Sequence, residues 1–264
     1  MGQQFQNSRQ WRHDANPCWH AEFPQKNLGP FGAHSQCKTP RHSFYSSGIV
    51  SNSYAHEVEC KICCVHSNGD QGARIDFLLC LIEDGYGLGD LRETPSTVLD
   101  IGANQGFFAL AARSFFPTAS IHCYEPNPRI LPILGQNAAA AQAEVFSEAV
   151  VVTAGTVFLE ESGDSNQTRT TSVAIGTAVP QVSLRTAVER LGGKVDLAKI
   201  DCEGAEWEMF RDPEPWKAIR HLRMEYHLIG EMRFTDVQFY MSEFGFKIRQ
   251  HYPACSWGTV WAER

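Results

Sequence analysis

From Thr97 onward, short apolar segments of strand character alternate with segments of helical period, and this alternation dictates most of what the chain can become. The strand-like segments are "TVLDI", "SIHCYE", "EVFSEAVV", "VDLAKID" and "HLRMEYH". Between them lie "GFFALAARSFF", "RILPILGQNAAAAQ", "RTAVERL" and "GAEWEMF", which read as helices. Parallel strands need crossover connections and helices supply them, so the pattern predicts an α/β fold with a parallel sheet covered on both faces. The tail "FTDVQFYMSEFGFKIRQHYPACSWGTVWAER" predicts a helix and a terminal hairpin, which would make the sheet seven-stranded and mixed. Residues 153–183 break the alternation. There "TVFLEE" and "TSVAI" predict a β-hairpin insertion around the polar tip "SGDSNQTRT".

Residues 1–50 carry no sustained period and read as an irregular arm or lid. Trp11, Trp19, Phe23, Phe31 and Phe44 are too many aromatics for a purely solvated tail, so part of the arm is expected to pack on the body or cover a site. His13, His20, His34 and His42 would then be available to touch a substrate as a group. Residues 54–64 and 73–82 have helix-like spacing, which places two N-terminal helices at the start of a main domain spanning residues 51–264. In "HEVECKICCVH", His56, Cys60, Cys63, Cys64 and His66 resemble zinc ligands. A structural zinc site pairs two ligand knuckles, and no second one is evident, so the cysteines are read as small buried hydrophobes.

The formal charge of −7 argues against a nucleic-acid groove, which needs a basic stripe. No apolar run approaches the roughly 20 residues that span a bilayer, so no membrane partner is expected. The opening "MGQQFQNSRQWRHD" lacks the apolar core of a secretory signal, and nine cysteines in a chain of this size suit reduced thiols. Together these predict a cytoplasmic protein, in which the "NQT" sequon at Asn166 means little. An aromatic arm in need of a surface suggests a homodimer.

The stretch "VLDIGANQGFFALAA" joins the first strand of the alternating region to its first helix. In open α/β sheets ligands bind beyond the carboxyl ends of the strands, so this loop would lie at the mouth of a site. Gly102 and Gly106 permit a tight turn and a close ligand approach. Glu125 ends the next strand, about 20 residues on, where an acid accepts hydrogen bonds from ribose hydroxyls. A dinucleotide site wants G-x-G-x-x-G and a helix N-terminus facing a pyrophosphate. Here Asn104 replaces the middle glycine, Phe107 stands at the last position, and Asp100 precedes the loop. A carboxylate suits a cation and repels phosphate. S-adenosylmethionine, with its ammonium and sulfonium, fits that better than NAD.

With "YEPNP", "VSLRTAVERLGGKVDLAKIDCEGAEWEMF" and "LRMEYH", the loop resembles the successive motifs of the FkbM family of S-adenosylmethionine-dependent methyltransferases, with "KIDCEGAE" the most specific. The resemblance covers residues 96–264. It implies a class I, Rossmann-like seven-stranded fold and, most often, O-methylation of a small natural product or sugar. It also implies that Asp100, Gly102, Asn104, Gly106 and Phe107 surround the methionine part of the cofactor. Glu125 would hold the ribose, Pro126 and Asn127 would shape the adenine side, and Glu148 and Ala149 would border the adenine ring.

Methyl transfer to a hydroxyl needs alignment, exclusion of water and a proton acceptor. Asp201 closes "AKID" with Glu203 two residues on, and Glu225 and His227 close "RMEYH" on one strand face. His227 ranks first as general base, since an imidazole titrates near neutrality, and Asp201 second; Glu203 and Glu225 rank as positioning or metal-binding groups. Glu206 and Glu208 read as solvated helix face. The four ranked residues are also donors that Mg²⁺ or Mn²⁺ accept, but two converging loops are not a ligand spacing, so no metal is assigned. An NAD-dependent oxidoreductase and a nucleoside-binding module without turnover are the alternatives.

Overall fold

The computed structural model describes residues 43–47, 61–66, 70–160, 169–171 and 176–264. Its centre is a seven-stranded mixed sheet. Five strands run parallel: β3 (Thr97–Ile101), β4 (Ser120–Tyr124), β5 (Glu144–Phe146), β10 (Val195–Ile200) and β11 (Ile219–His227). Strand β12 (Lys247–Pro253) and β13 (Trp257–Glu263) form the expected terminal hairpin, and β13 joins β11 antiparallel. The order β12-β13-β11-β10-β3-β4-β5 puts β10 and β3 in the middle, and every residue of β10 is buried.

The period of two in β3 divides the core. Leu99 and Ile101 face a cluster built with α4 (Leu184–Arg190), α5 (Glu206–Met209) and α6 (Phe234–Glu243), where Trp216 stacks on Phe244 with centroids 5.0 Å apart. Val98 faces the opposite cluster, made with α1 (Gln71–Phe77), α2 (Phe107–Phe115) and α3 (Leu131–Ala140). Helices thus cover both faces. Asp70 caps α1 by accepting the Ala73 N–H at 3.0 Å, and a π-helical turn, Leu78–Ile82, continues it. Among the described residues no helix is long and apolar enough to cross a membrane.

Three expectations change. Part of the predicted helix over residues 54–64 is a strand: β2 (Lys61–Val65) pairs antiparallel with β1 (Ser43–Ser47), which itself falls inside the expected irregular arm. A short apolar run such as "KICCV" has no period that separates strand from helix. The single strand expected over residues 144–151 is two, β5 and β6 (Ala149–Val151), in different sheets. The hairpin insertion is part of a four-stranded sheet, β6-β9-β7-β8, in which β7 (Gly155–Glu160) lies between β8 (Arg169–Thr171) and β9 (Thr177–Ser183). The rest of residues 1–50, residues 54–60 with His56 and Cys60, and Asn166 lie outside the described residues.

Candidate active site

The loop after β3 is held on three sides. Gly102 and Ala103 both donate to the Tyr124 carbonyl at 3.0 Å. At Gly102 φ is 74°, and a Cβ there would stand 1.7 Å from the Asp201 carbonyl oxygen. Its glycine is therefore required by the neighbouring chain end after β10, not by an approaching ligand. Gly106 is the N-cap of α2, also in the left-handed region, and packs against Leu134 of α3.

Glu125 fastens the loop to the end of β4. Its Oε2 accepts the Asn104 N–H and its Oε1 the Asn127 N–H, both at 2.9 Å. Burial outweighs these bonds and pushes its pKa up to about 7. The Asn104 amide reaches across and donates to Asp76 of α1 at 2.7 Å. Burial and the nearby Asp201 likewise raise Asp76 to about 7.

A cleft of about 610 Å³, counting its open mouth, lies between these strand ends. Of the residues assigned to the cofactor, Gly102, Asn104, Glu125, Pro126, Glu148 and Ala149 line it, together with Asp201 and Glu203. Among the described residues its lining contains four acids and no Lys or Arg. Ile101, Val150 and Ala205 add apolar wall. Among the described residues none donates to the buried Asn104 Oδ1.

Asp100, Gly106, Phe107 and Asn127 stand behind that wall. Asp100 is fully buried, and its carboxylate lies 3.5 Å from Lys199 Nζ. Lys199 in turn donates to the Gly102 carbonyl at 2.6 Å and lies 3.7 Å from Asp201. The charge expected to attract a ligand is thus met inside the fold. Phe107 is core, and Asn127, wholly buried, braces the turn by accepting the Arg129 N–H at 3.1 Å.

Glu225 and His227 are also off the cleft, but the structure brings them together with Glu203. The His227 Nε2 is 3.3 Å from Glu203 and 3.5 Å from Glu225. Its Nδ1 is 3.5 Å from Glu206, which also accepts the His227 N–H at 2.6 Å. Burial lowers the proton affinity of His227, yet Glu206, Glu203 and Asp201 outweigh it and the net shift is upward. His227, ranked first as general base, thus stands among three carboxylates and outside the cleft lining. Glu208 is exposed as expected, whereas Glu206 is completely buried.

The sequence reading passed over Lys199 and Asp76 and took Glu206 for solvated helix face. The signal for Lys199 was available: a cation inside the continuous apolar run "VDLAKI" must find a partner. Asp76 and Glu206 carried no comparable signal, because α1 and α5 are too short for a clear polar face.

The family model of the FkbM methyltransferase domain matches residues 100–248. The methyltransferase sdnD of Sordaria araneosa is 27% identical over 178 residues, an alignment spanning 52% of this chain and 69% of that protein. Solved structures resemble the chain more distantly. A precorrin-6y C5,15-methyltransferase from Geobacter metallireducens has a TM-score of 0.44 at 10% identity, with 76% of this chain and 93% of that one covered. The Aeropyrum pernix fibrillarin with natively bound S-adenosyl-L-methionine has a TM-score of 0.43 at 14% identity, with 68% and 74% covered.

Proposed function

The chain belongs to the FkbM methyltransferase family and is an S-adenosylmethionine-dependent methyltransferase, and from that premise we propose that it methylates a hydroxyl of a small natural product or sugar. One observation carries the cofactor assignment at this cleft: among the described residues its lining holds four acids, of which Glu148 pairs with Arg190 beside the cleft, and no Lys or Arg. Asp201 and Glu203 at the end of β10 suit a phosphate-free cation better than a pyrophosphate, which speaks against the NAD alternative. The apolar wall of Ile101, Pro126, Ala149 and Val150 suits a purine. Glu125 and Asn104 would hold the ribose and methionine parts, and Glu148 and Ala149 the base.

Bound there, S-adenosylmethionine supplies an electrophilic methyl group. The remaining work falls to the chain: aligning the acceptor oxygen, keeping water out and taking one proton. Asp201 lines the cleft with its side chain partly exposed, and it takes that proton in this reading. Lys199, behind it, keeps the carboxylate oriented.

The test is transfer of tritiated methyl from the cofactor to a panel of small polyhydroxylated compounds, each with an amine analogue. Label recovered as an alkali-stable methyl ether supports the reading. Label on nitrogen alone, or on RNA or protein alone, would overturn the acceptor assignment.

A further inference from the structure

We propose that Glu203, Glu225 and His227 bind one divalent first-row transition-metal ion beside the cofactor cleft. One ligand atom from each of the three lies within 4.8 Å of the others. Ligand atoms about 2.1 Å from an octahedral ion stand about 3 Å apart. The Nε2 distances of 3.3 and 3.5 Å to Glu203 and Glu225 are near that spacing, and both are longer than a good hydrogen bond.

The histidine is the independent observation. His227 is 8% exposed, and its Nε2 lies between the two carboxylates. On the far side of the ring, wholly buried Glu206 lies 3.5 Å from Nδ1. A carboxylate behind a histidine is the usual support of a metal-binding imidazole, since it fixes the tautomer that leaves the other nitrogen for the ion. Glu206 is itself fixed, accepting the N–H of Gly204 at 2.9 Å and of His227 at 2.6 Å.

The fold sets the geometry. Glu225 and His227 share a face at the end of β11, and Glu203 follows the adjacent parallel strand, β10. Charge points the same way. Glu203, Glu206 and Glu225 all gather around the one imidazole of His227, an arrangement that a dication would favour. The two-carboxylate, one-imidazole set suits Mn²⁺, Fe²⁺ or Zn²⁺ better than Mg²⁺, which favours oxygen alone. Glu203 also lines the cleft, so an ion held there would polarise an acceptor hydroxyl; that role rests on the methyl-transfer reading, while the binding site does not.

The full chain, stripped with a chelator and desalted, is titrated with MnCl₂ while free Mn²⁺ is read by electron paramagnetic resonance. One equivalent should leave the free signal, and ZnCl₂ should displace it. H227A and E225Q should each weaken uptake about tenfold or more, and E206Q should do so as well. S-adenosylhomocysteine binding, measured by calorimetry on the same preparations, should persist in all three and report that they are folded. No uptake by the wild type, or uptake unchanged in both H227A and E225Q, overturns the site. Uptake of the ion by a wild type that ignores S-adenosylhomocysteine supports the site and removes the methyl-transfer reading instead.

Discussion

Asp100 and Lys199 face each other in register on the adjacent strands β3 and β10, buried to 0% and 5% exposure, with carboxylate and ammonium 3.5 Å apart. Burial would depress the Lys199 pKa, but Asp100, Asp201 and Asp76 raise it instead, so the ammonium stays charged in the core. Breaking such a pair strands one charge, at a cost of about 3–5 kcal/mol, whereas replacing both partners relieves the desolvation of each. Lys199→Met should therefore destabilise the chain by that order. Asp100→Asn combined with Lys199→Met should recover part of the loss in urea unfolding. Strict additivity of the two single changes would show that the pair is not coupled.

Gly102 and Gly135 should respond oppositely to alanine. At Gly102 a Cβ meets the Asp201 carbonyl and φ is 74°, so Gly102→Ala should cost several times the roughly 1 kcal/mol of a helical glycine effect and displace the loop. At Gly135, within α3, a Cβ meets nothing within 4 Å, and Gly135→Ala should stabilise by about 0.5–1 kcal/mol. Thermal unfolding of both variants checks this, and equal effects would contradict it.

Asp76 makes stability pH-dependent in an unusual direction. Its pKa rises on folding from 3.8 to about 7, so between those values the folded chain holds a proton that the unfolded chain releases. That contribution is fully present below about 3.8 and is lost as pH rises through about 7. Asp76→Asn keeps an acceptor for the Asn104 amide and removes the titration. Its Tm relative to wild type should rise between pH 5 and pH 8, and a difference independent of pH would contradict the assignment.

Glu125→Gln leaves one carbonyl oxygen where two carboxylate oxygens held the Asn104 and Asn127 N–H groups. The variant loosens the tether of the loop beneath the proposed nucleoside site and should bind S-adenosylhomocysteine about 10–100-fold more weakly by calorimetry. Wild-type affinity in Glu125→Gln would show that the nucleoside is held elsewhere.

The fold was legible where the chain is periodic. Strands β3, β4, β10 and β11 stand where the apolar segments predict them, because a buried parallel strand must be apolar over its length. It was not legible where runs are short: "KICCV" has no period, and "EVFSEAVV" gives no sign that Ser147 and Glu148 separate two sheets. In the site, spacing brought the right segments to one sheet edge but could not say which side of the backbone each group occupies. Asp100 turns inward to Lys199 while Asn104, three residues from Ile101, turns out to the cleft. Likewise, the period of two paired Glu225 with His227, but only the packing of α5 reveals Glu206 behind the ring.

The central claim is that the acidic cleft selects a phosphate-free adenosine cation or its demethylated product. Calorimetric titration of the chain with S-adenosylhomocysteine and, separately, with NAD⁺ tests it most directly. Saturable one-site binding of the first with no heat from the second is the predicted result. Saturation by NAD⁺ with no response to S-adenosylhomocysteine would contradict it.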